Sequence, residues 1–175
     1  MTQKHKSHKG ELLLQKRRNT PREVSDGIPH YISSDMPRQH AEFFAGLSYL
    51  PLATLDQHGR PWVSLLVTRS DNDPSVGITV SGGNTTDILA ETNPFDPFAQ
   101  ALQQAPATGD TKRLFAGVGI DFANRRRNKI AGAISHASIE DTGKVVLRSL
   151  SAQHVGNCPK YITVSKLAHI QRKAT

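Results

Sequence analysis

Apolar residues recur along this chain in two rhythms, and each change of rhythm marks an element. From Met36 the spacing is helical: Phe43, Phe44 and Leu47 fall on one side, Asp35 is placed to cap, Pro37 suits a first turn, and Gly46 helps to end the helix. The rhythm then changes to alternation. Leu50–Leu55 and Pro61–Thr68 flank the turn residues Asp56-Gln57-His58-Gly59, which predicts an antiparallel hairpin. In its second strand Val63, Leu65 and Val67 point one way and are expected in the core. Trp62, Ser64, Leu66 and Thr68 point the other way, a face that mixes an aromatic with two hydroxyls. Val76–Val80 reads as a third strand, and Pro97–Gln104 as a short helix capped by Asp96. Leu114–Phe122 alternates again, with Leu114, Ala116, Val118, Ile120 and Phe122 on an apolar face expected inward. Gly117 and Gly119 lie opposite, where missing side chains let a strand or a flat ligand come close. Asn128–Ser138 and Lys144–His154 form a second hairpin around Glu140–Gly143, and Gly156–Ile162 reads as a turn leading into one helical turn. The sum is a mainly β fold: a small antiparallel barrel of about six strands with short helices.

Residues 1–35 lack this patterning and read as a basic polar arm, disordered or laid over a partner, ahead of a domain over 36–175. A chain of 175 residues suits one such domain plus an extension. Charge sharpens the division. Residues 1–22 carry seven Lys and Arg against Glu11 alone, a net +6, which leaves +1 of the total +7 for everything after them. The folded body is therefore close to neutral, and nucleic acid would be bound only through the arm. The single cysteine, Cys158, allows no internal disulfide; it reads as an inert thiol in a reducing, cytoplasmic setting. No run is long and apolar enough for a membrane span, so no membrane partner is expected. The eight scattered histidines show no metal-ligand spacing.

Two stretches carry candidate chemistry. Ser81-Gly82-Gly83-Asn84-Thr85-Thr86-Asp87 could cradle a phosphate, or could be an ordinary Gly-Gly-Asn turn. Arg125, Arg126 and Arg127 stand at the start of a strand. A guanidinium fork matches phosphate, yet a basic run at a strand end also guards an exposed edge. In a regular strand Arg125 and Arg127 would share one face and Arg126 the other.

Three blocks bear a resemblance: "MPRQHAEFFAGLSYLPLATLDQHGRPWVSLL" (Met36–Leu66), "GVGIDFANRRRNKIAG" (Gly117–Gly132) and "GNCPKYI" (Gly156–Ile162). In order and placement they resemble the pyridoxamine 5′-phosphate oxidase-like, FMN-binding split-barrel superfamily, and within it the first half of the flavin-nucleotide-binding branch. The resemblance implies an antiparallel split β-barrel of FMN-binding type and a homodimer with FMN in a groove between two barrels. It implies cofactor contacts from the second hairpin strand, here Trp62, Val63, Ser64, Leu65 and Thr68. Further contacts would come from Arg126, Arg127 and Asn128, with Lys160 of the last block added.

The implied activity is that of an oxidoreductase-like protein moving electrons from the flavin to a small-molecule acceptor. No side chain is named as catalytic, because the redox chemistry belongs to the cofactor. FAD, F420 and heme rank behind FMN, and a non-enzymatic flavin or heme binding module is the alternative. The vitamin-B6 oxidase carries an Arg and a Lys where this chain has Ser64 and Val67, and "SGGNTTD" lacks that enzyme's cations. Both differences point away from the B6 reaction. Because the branch continues into a second barrel half, a chain stopping at Thr175 is expected to be a half that dimerises or a truncated product.

Overall fold

The computed structural model describes residues 7–27, 31–69, 74–81, 84–93, 95–104, 113–157 and 160–168. In order these form α1 (Lys9–Arg17), α2 (Arg22–Gly27), α3 (Arg38–Ala45), β1 (Tyr49–Leu55), β2 (Pro61–Val67), β3 (Gly77–Ser81), β4 (Thr85–Glu91), α4 (Pro97–Gln104), β5 (Arg113–Asp121), β6 (Arg126–Ile139) and β7 (Lys144–Asn157). Cys158, Gly82 and Gly83 lie outside the described residues, and with them the thiol reading and the centre of the phosphate-cradle reading.

All strand pairings are antiparallel, in the order β2-β1-β5-β6-β7-β4-β3. A further pairing, Val67↔Glu91 between β2 and β4, joins the ends of a six-stranded ring and leaves β3 outside it. One residue pair is a thin seam beside the seven pairs of β1–β2 or β4–β7. The fold is thus an antiparallel barrel with short helices, barely stitched along one side. The sequence reading of about six strands omitted β4 and counted β3 in its place. Thr85-Thr86-Asp87 resembles a turn, yet Thr86, Ile88 and Ala90 alternate inward as a strand requires.

Helices close the interior. In α4, Phe98, Ala99, Ala101 and Leu102 are buried against β1, β2 and β6. Asp96 caps it as the sequence predicted, Phe98 N donating to its Oδ1 at 2.8 Å. Phe43 and Phe44 of α3 meet edge to face with centroids 5.4 Å apart. At Gly119 a β-carbon would lie 2.7 Å from both Phe43 Cε1 and Leu47 Cδ1. The empty side of β5 therefore admits α3, not a ligand. The start of α3 corrects the sequence reading too: its N-cap is Pro37, in extended backbone, with no side-chain capping bond. Asp35 is two residues upstream because the position before a proline resists helical geometry.

The largest correction concerns which faces are inside. Val63 and Leu65 are 66% and 55% exposed, whereas Ser64, Leu66 and Thr68 are buried. Likewise Leu114 is exposed, while Phe115 and its neighbouring glycines face the core. The hydroxyls of Ser64, Thr68 and Thr54 can go inward because each of these three finds a partner. Ser64 Oγ donates to Asp96 Oδ2 at 2.6 Å, Thr68 Oγ1 to the Leu47 carbonyl at 2.7 Å, and Thr54 Oγ1 to the Leu114 carbonyl at 2.9 Å.

Within the stretch read as an arm, Lys9–Arg17 is helical. Residues 9–17 are rich in good helix formers, His8 Nδ1 accepts from Gly10 N, and Glu11 and Lys16–Arg17 complement the helix dipole. None of its residues is buried. At the far end, residues 160–168 form a turn and irregular chain, with no helical turn among the described residues there. No helix among the described residues is long and apolar enough to cross a membrane.

Candidate functional site: an apolar groove on the outer sheet face

Following the register across the barrel wall locates the site. Val63 pairs with Ala53, Ala53 with Ala116, Ala116 with Ala131 and Ala131 with Gln153, one row across five strands. Three alanines in the middle of that row leave a trough. Beside it Leu65 pairs with Pro51, and Val118, Lys129 and Val155 form the next row. The result is an open groove of about 320 Å³, with walls that are almost wholly apolar. Ile32 covers its rim, and Lys129 is the one ionisable residue in its described lining. One row further on, Ile120 pairs with Arg127 and Arg127 with Asn157. Alternation sets Arg127 on the same face as Lys129, roughly 7 Å along the strand.

The residues expected from sequence are divided by this geometry. Val63 lines the groove and Leu65 shares its face. Ser64 and Thr68 point into the barrel, with the hydrogen bonds given above. Trp62 is half-buried against the core, and its Nε1 donates to Asp56 Oδ2 at 3.1 Å. The same carboxylate group accepts from His58 N, Arg60 N and Arg60 Nε, locking the β1–β2 turn. Burial works against a charge on Asp56, but the donors from Arg60, Trp62 and His58 outweigh it and hold the carboxyl well below the usual range.

The arginine run separates as well. Arg125 sits in the β5–β6 turn with φ +61°, braced by Asp121 and Asn124. Arg126 turns to α3, its guanidinium 5.1 Å from the Phe43 ring centroid and 3.3 Å from the Gln39 carbonyl. Asn128 is buried on that same inner side, where it pairs with Gly119 and Gly156. Among the described residues its Nδ2 has no hydrogen-bond partner, and Nδ1 of nearby His40 is in the same condition. Burial, then the charge of Arg126, lower the pKa of His40. Only Arg127 of the three arginines is on the groove face. Lys160 is exposed with its Nζ 5.5 Å from the Tyr161 ring centroid, and it does not line the groove. Sequence reading missed Lys129 and the alanine row, although alternation from Arg127 leads directly to Lys129.

No family model matches the chain, and no curated protein does. Solved structures do show similarity. One is a "putative pyridoxamine 5′-phosphate oxidase" from Lactobacillus delbrueckii, at 13% identity over 70% of this chain and 94% of that one, with a TM-score of 0.47. Another is an F420 reductase, at 11% identity over 68% and 98% of the two chains, with a TM-score of 0.44. Identities and scores this low carry nothing about chemistry.

Among the described residues no group of three or more His, Cys, Asp and Glu could hold a metal ion. What the groove offers is an apolar lining with Lys129 in it and Arg127 further along the same strand. A planar ring with an anionic tail suits those walls.

Proposed function

We propose that the chain is a cytoplasmic FMN-binding, oxidoreductase-like protein, with the flavin held in the outer groove between two copies of the barrel. The observation that carries this reading is the inverted face. Val63, Leu65, Leu114 and Leu150 are 66%, 55%, 51% and 58% exposed on one side of the sheet, where a second copy would take them out of water. Val63, the alanine row and Val118 would hold the ring, and Lys129 and Arg127 would face its phosphate. FMN, when bound, supplies the electron transfer to a small acceptor. The side chains of this protein bind, orient and exclude water.

A titration with FMN, read by quenching of flavin fluorescence, tests the assignment. Arg127→Ala is expected to lose about 1.5 kcal/mol of binding, about tenfold in affinity. Arg126→Ala, whose side chain leans on α3, is expected to change affinity less than about twofold. Equal affinity for FMN in wild type and Arg127→Ala would overturn the phosphate assignment.

A second reading is a non-enzymatic flavin or heme carrier. The groove lining favours it in one respect: among the described residues Lys129 is its one ionisable member. Bleaching of the flavin-loaded protein by NADPH supports the oxidoreductase; a bound flavin inert to reductants supports the carrier.

A further inference from the structure

A Ser–His pair lies deep in the wall beside the groove. His154 Nε2 is 2.8 Å from Ser151 Oγ, but the two residues are 0% and 1% exposed, so no substrate reaches them. What they do hold is a piece of the N-terminal chain. Beyond Thr85, β4 no longer covers the edge of β7, and residues 31–36 take its place. Ser33 N donates to the His154 carbonyl and His154 N to the Ser33 carbonyl, each at 2.9 Å. His154 Nδ1 approaches the same Ser33 carbonyl at 3.2 Å. Asn84 secures the next residues, its Nδ2 donating to the Ser34 carbonyl at 2.7 Å and its Oδ1 accepting from Met36 N at 3.2 Å. Ile32, at the front of this strap, forms part of the groove wall.

One neutral tautomer serves both ring nitrogens. A carbonyl only accepts, so a bond from the ring to Ser33 needs the proton on Nδ1. In the neutral ring Nε2 is then an acceptor, and the Ser151 hydroxyl donates to it. The Asn84 carbonyl keeps the Ser151 N–H at 2.9 Å. A second ring proton would reverse the Nε2 bond and turn the hydroxyl toward the Asn84 carbonyl, 2.8 Å away. The added charge would be sealed from water. The ionisable groups acting on His154 are His40 from α3, which opposes a positive charge, and Asp35 from the strap, which favours one.

We propose that residues 31–36 are a proton-sensitive latch on the rim of the groove, shut while His154 is neutral and loosened when it is protonated. Burial first, and His40 with it, lower the pKa of His154 from the imidazole value of 6.5, against the Ser33 carbonyl and Asp35, which raise it. With the strap lifted, the ring meets water and returns toward its ordinary value. The closed state therefore has its full advantage above 6.5 and loses it as the pH falls. Opening withdraws Ile32 and widens the groove at that edge. The latch does not depend on which ligand the groove takes.

Amide hydrogen exchange on the full chain, with each rate divided by its intrinsic rate at the same pH, reads the latch directly. Protection of the Ser33 and His154 amides is expected to fall, by up to about tenfold per pH unit below the imidazole value. The Val118 amide, in the β5–β6 ladder, keeps its protection. His154→Gln flattens the Ser33 profile, and His40→Gln leaves its slope in place. A flat Ser33 profile in the wild type overturns the proposal, as does a slope that survives in His154→Gln or vanishes in His40→Gln. Should His154→Gln fail to fold, the wild-type ring signals of His154 decide by NMR. Titration in step with the loss of Ser33 protection supports the latch; a ring that stays neutral while Ser33 opens refutes it.

Discussion

The two faces of the wall formed by β2, β1, β5, β6 and β7 depart from a simple division into apolar inside and polar outside: the inner face holds the apolar core together with buried polar groups. Thr54, Ser64, Asn128, Ser149, Ser151 and His154 are buried inside it, with the glycines that admit α3. Outside lie Val63, Leu65, Leu114 and Leu150 around a trough of alanines. The inner face tolerates polar groups because most are hydrogen-bonded, several of them to elements far away in sequence: Ser64 to Asp96 and Ser149 to the Thr86 carbonyl. The outer face has no such compensation within one copy. In β2, therefore, local hydropathy does not decide which face is inside; the available partners do.

This contrast can be broken from either side. The largest effect is expected on the outer face. Val63→Asp with Leu65→Asp would bury two unpaired carboxylates in an interface between copies, at a cost of about 3 kcal/mol or more, and weaken self-association at least a hundredfold. Because both positions are exposed in the single chain, the urea midpoint of the monomer should hardly move. Inside, Gly132→Ala should cost about 3 kcal/mol. Its β-carbon would be driven against the Leu150 carbonyl and the Ser151 Cα, which are backbone and cannot swing aside. Urea unfolding measures this, and an unchanged midpoint would show that the bulge opposite Gly132 relaxes freely.

Smaller again is Ser64→Ala, expected to destabilise by about 2 kcal/mol because Asp96, the cap of α4, loses a donor at 2.6 Å. The smallest effect is at the hairpin turn. The carboxyl of Asp56 is held below its ordinary value, so its stabilisation is complete above about pH 4 and is lost as the pH falls through the lowered value. An acid unfolding curve that is unchanged by Asp56→Asn would dismiss that contribution.

How far the sequence revealed this molecule follows the same contrast. The β1–β2 and β6–β7 hairpins, β5 and α4 were legible because period and turn residues agree locally, as at Asp56–Gly59 and at Asp96 before Pro97. β4 was hidden behind two threonines and an aspartate that mimic a turn. The inversion of β2 was illegible, since the wholly apolar face of Val63, Leu65 and Val67 reads as core and the deciding partners of the other face, Asp96 and the Leu47 carbonyl, lie 32 and 21 residues away. Of the candidate site, alternation sets Arg126 and Arg127 on opposite faces of β6, while Arg125 lies in the turn before it. It could not show that Arg126 would rest on Phe43, because α3 reaches that strand only through the tertiary fold.

Sedimentation of the FMN-reconstituted protein, followed at the flavin's visible absorbance, tests the central claim most directly. The account predicts that the flavin colour travels with a species of twice the 19.1 kDa chain mass, and that Val63→Asp/Leu65→Asp releases both colour and dimer together. Colour bound to a 19.1 kDa monomer, or retained in full by the doubly substituted chain, would contradict it.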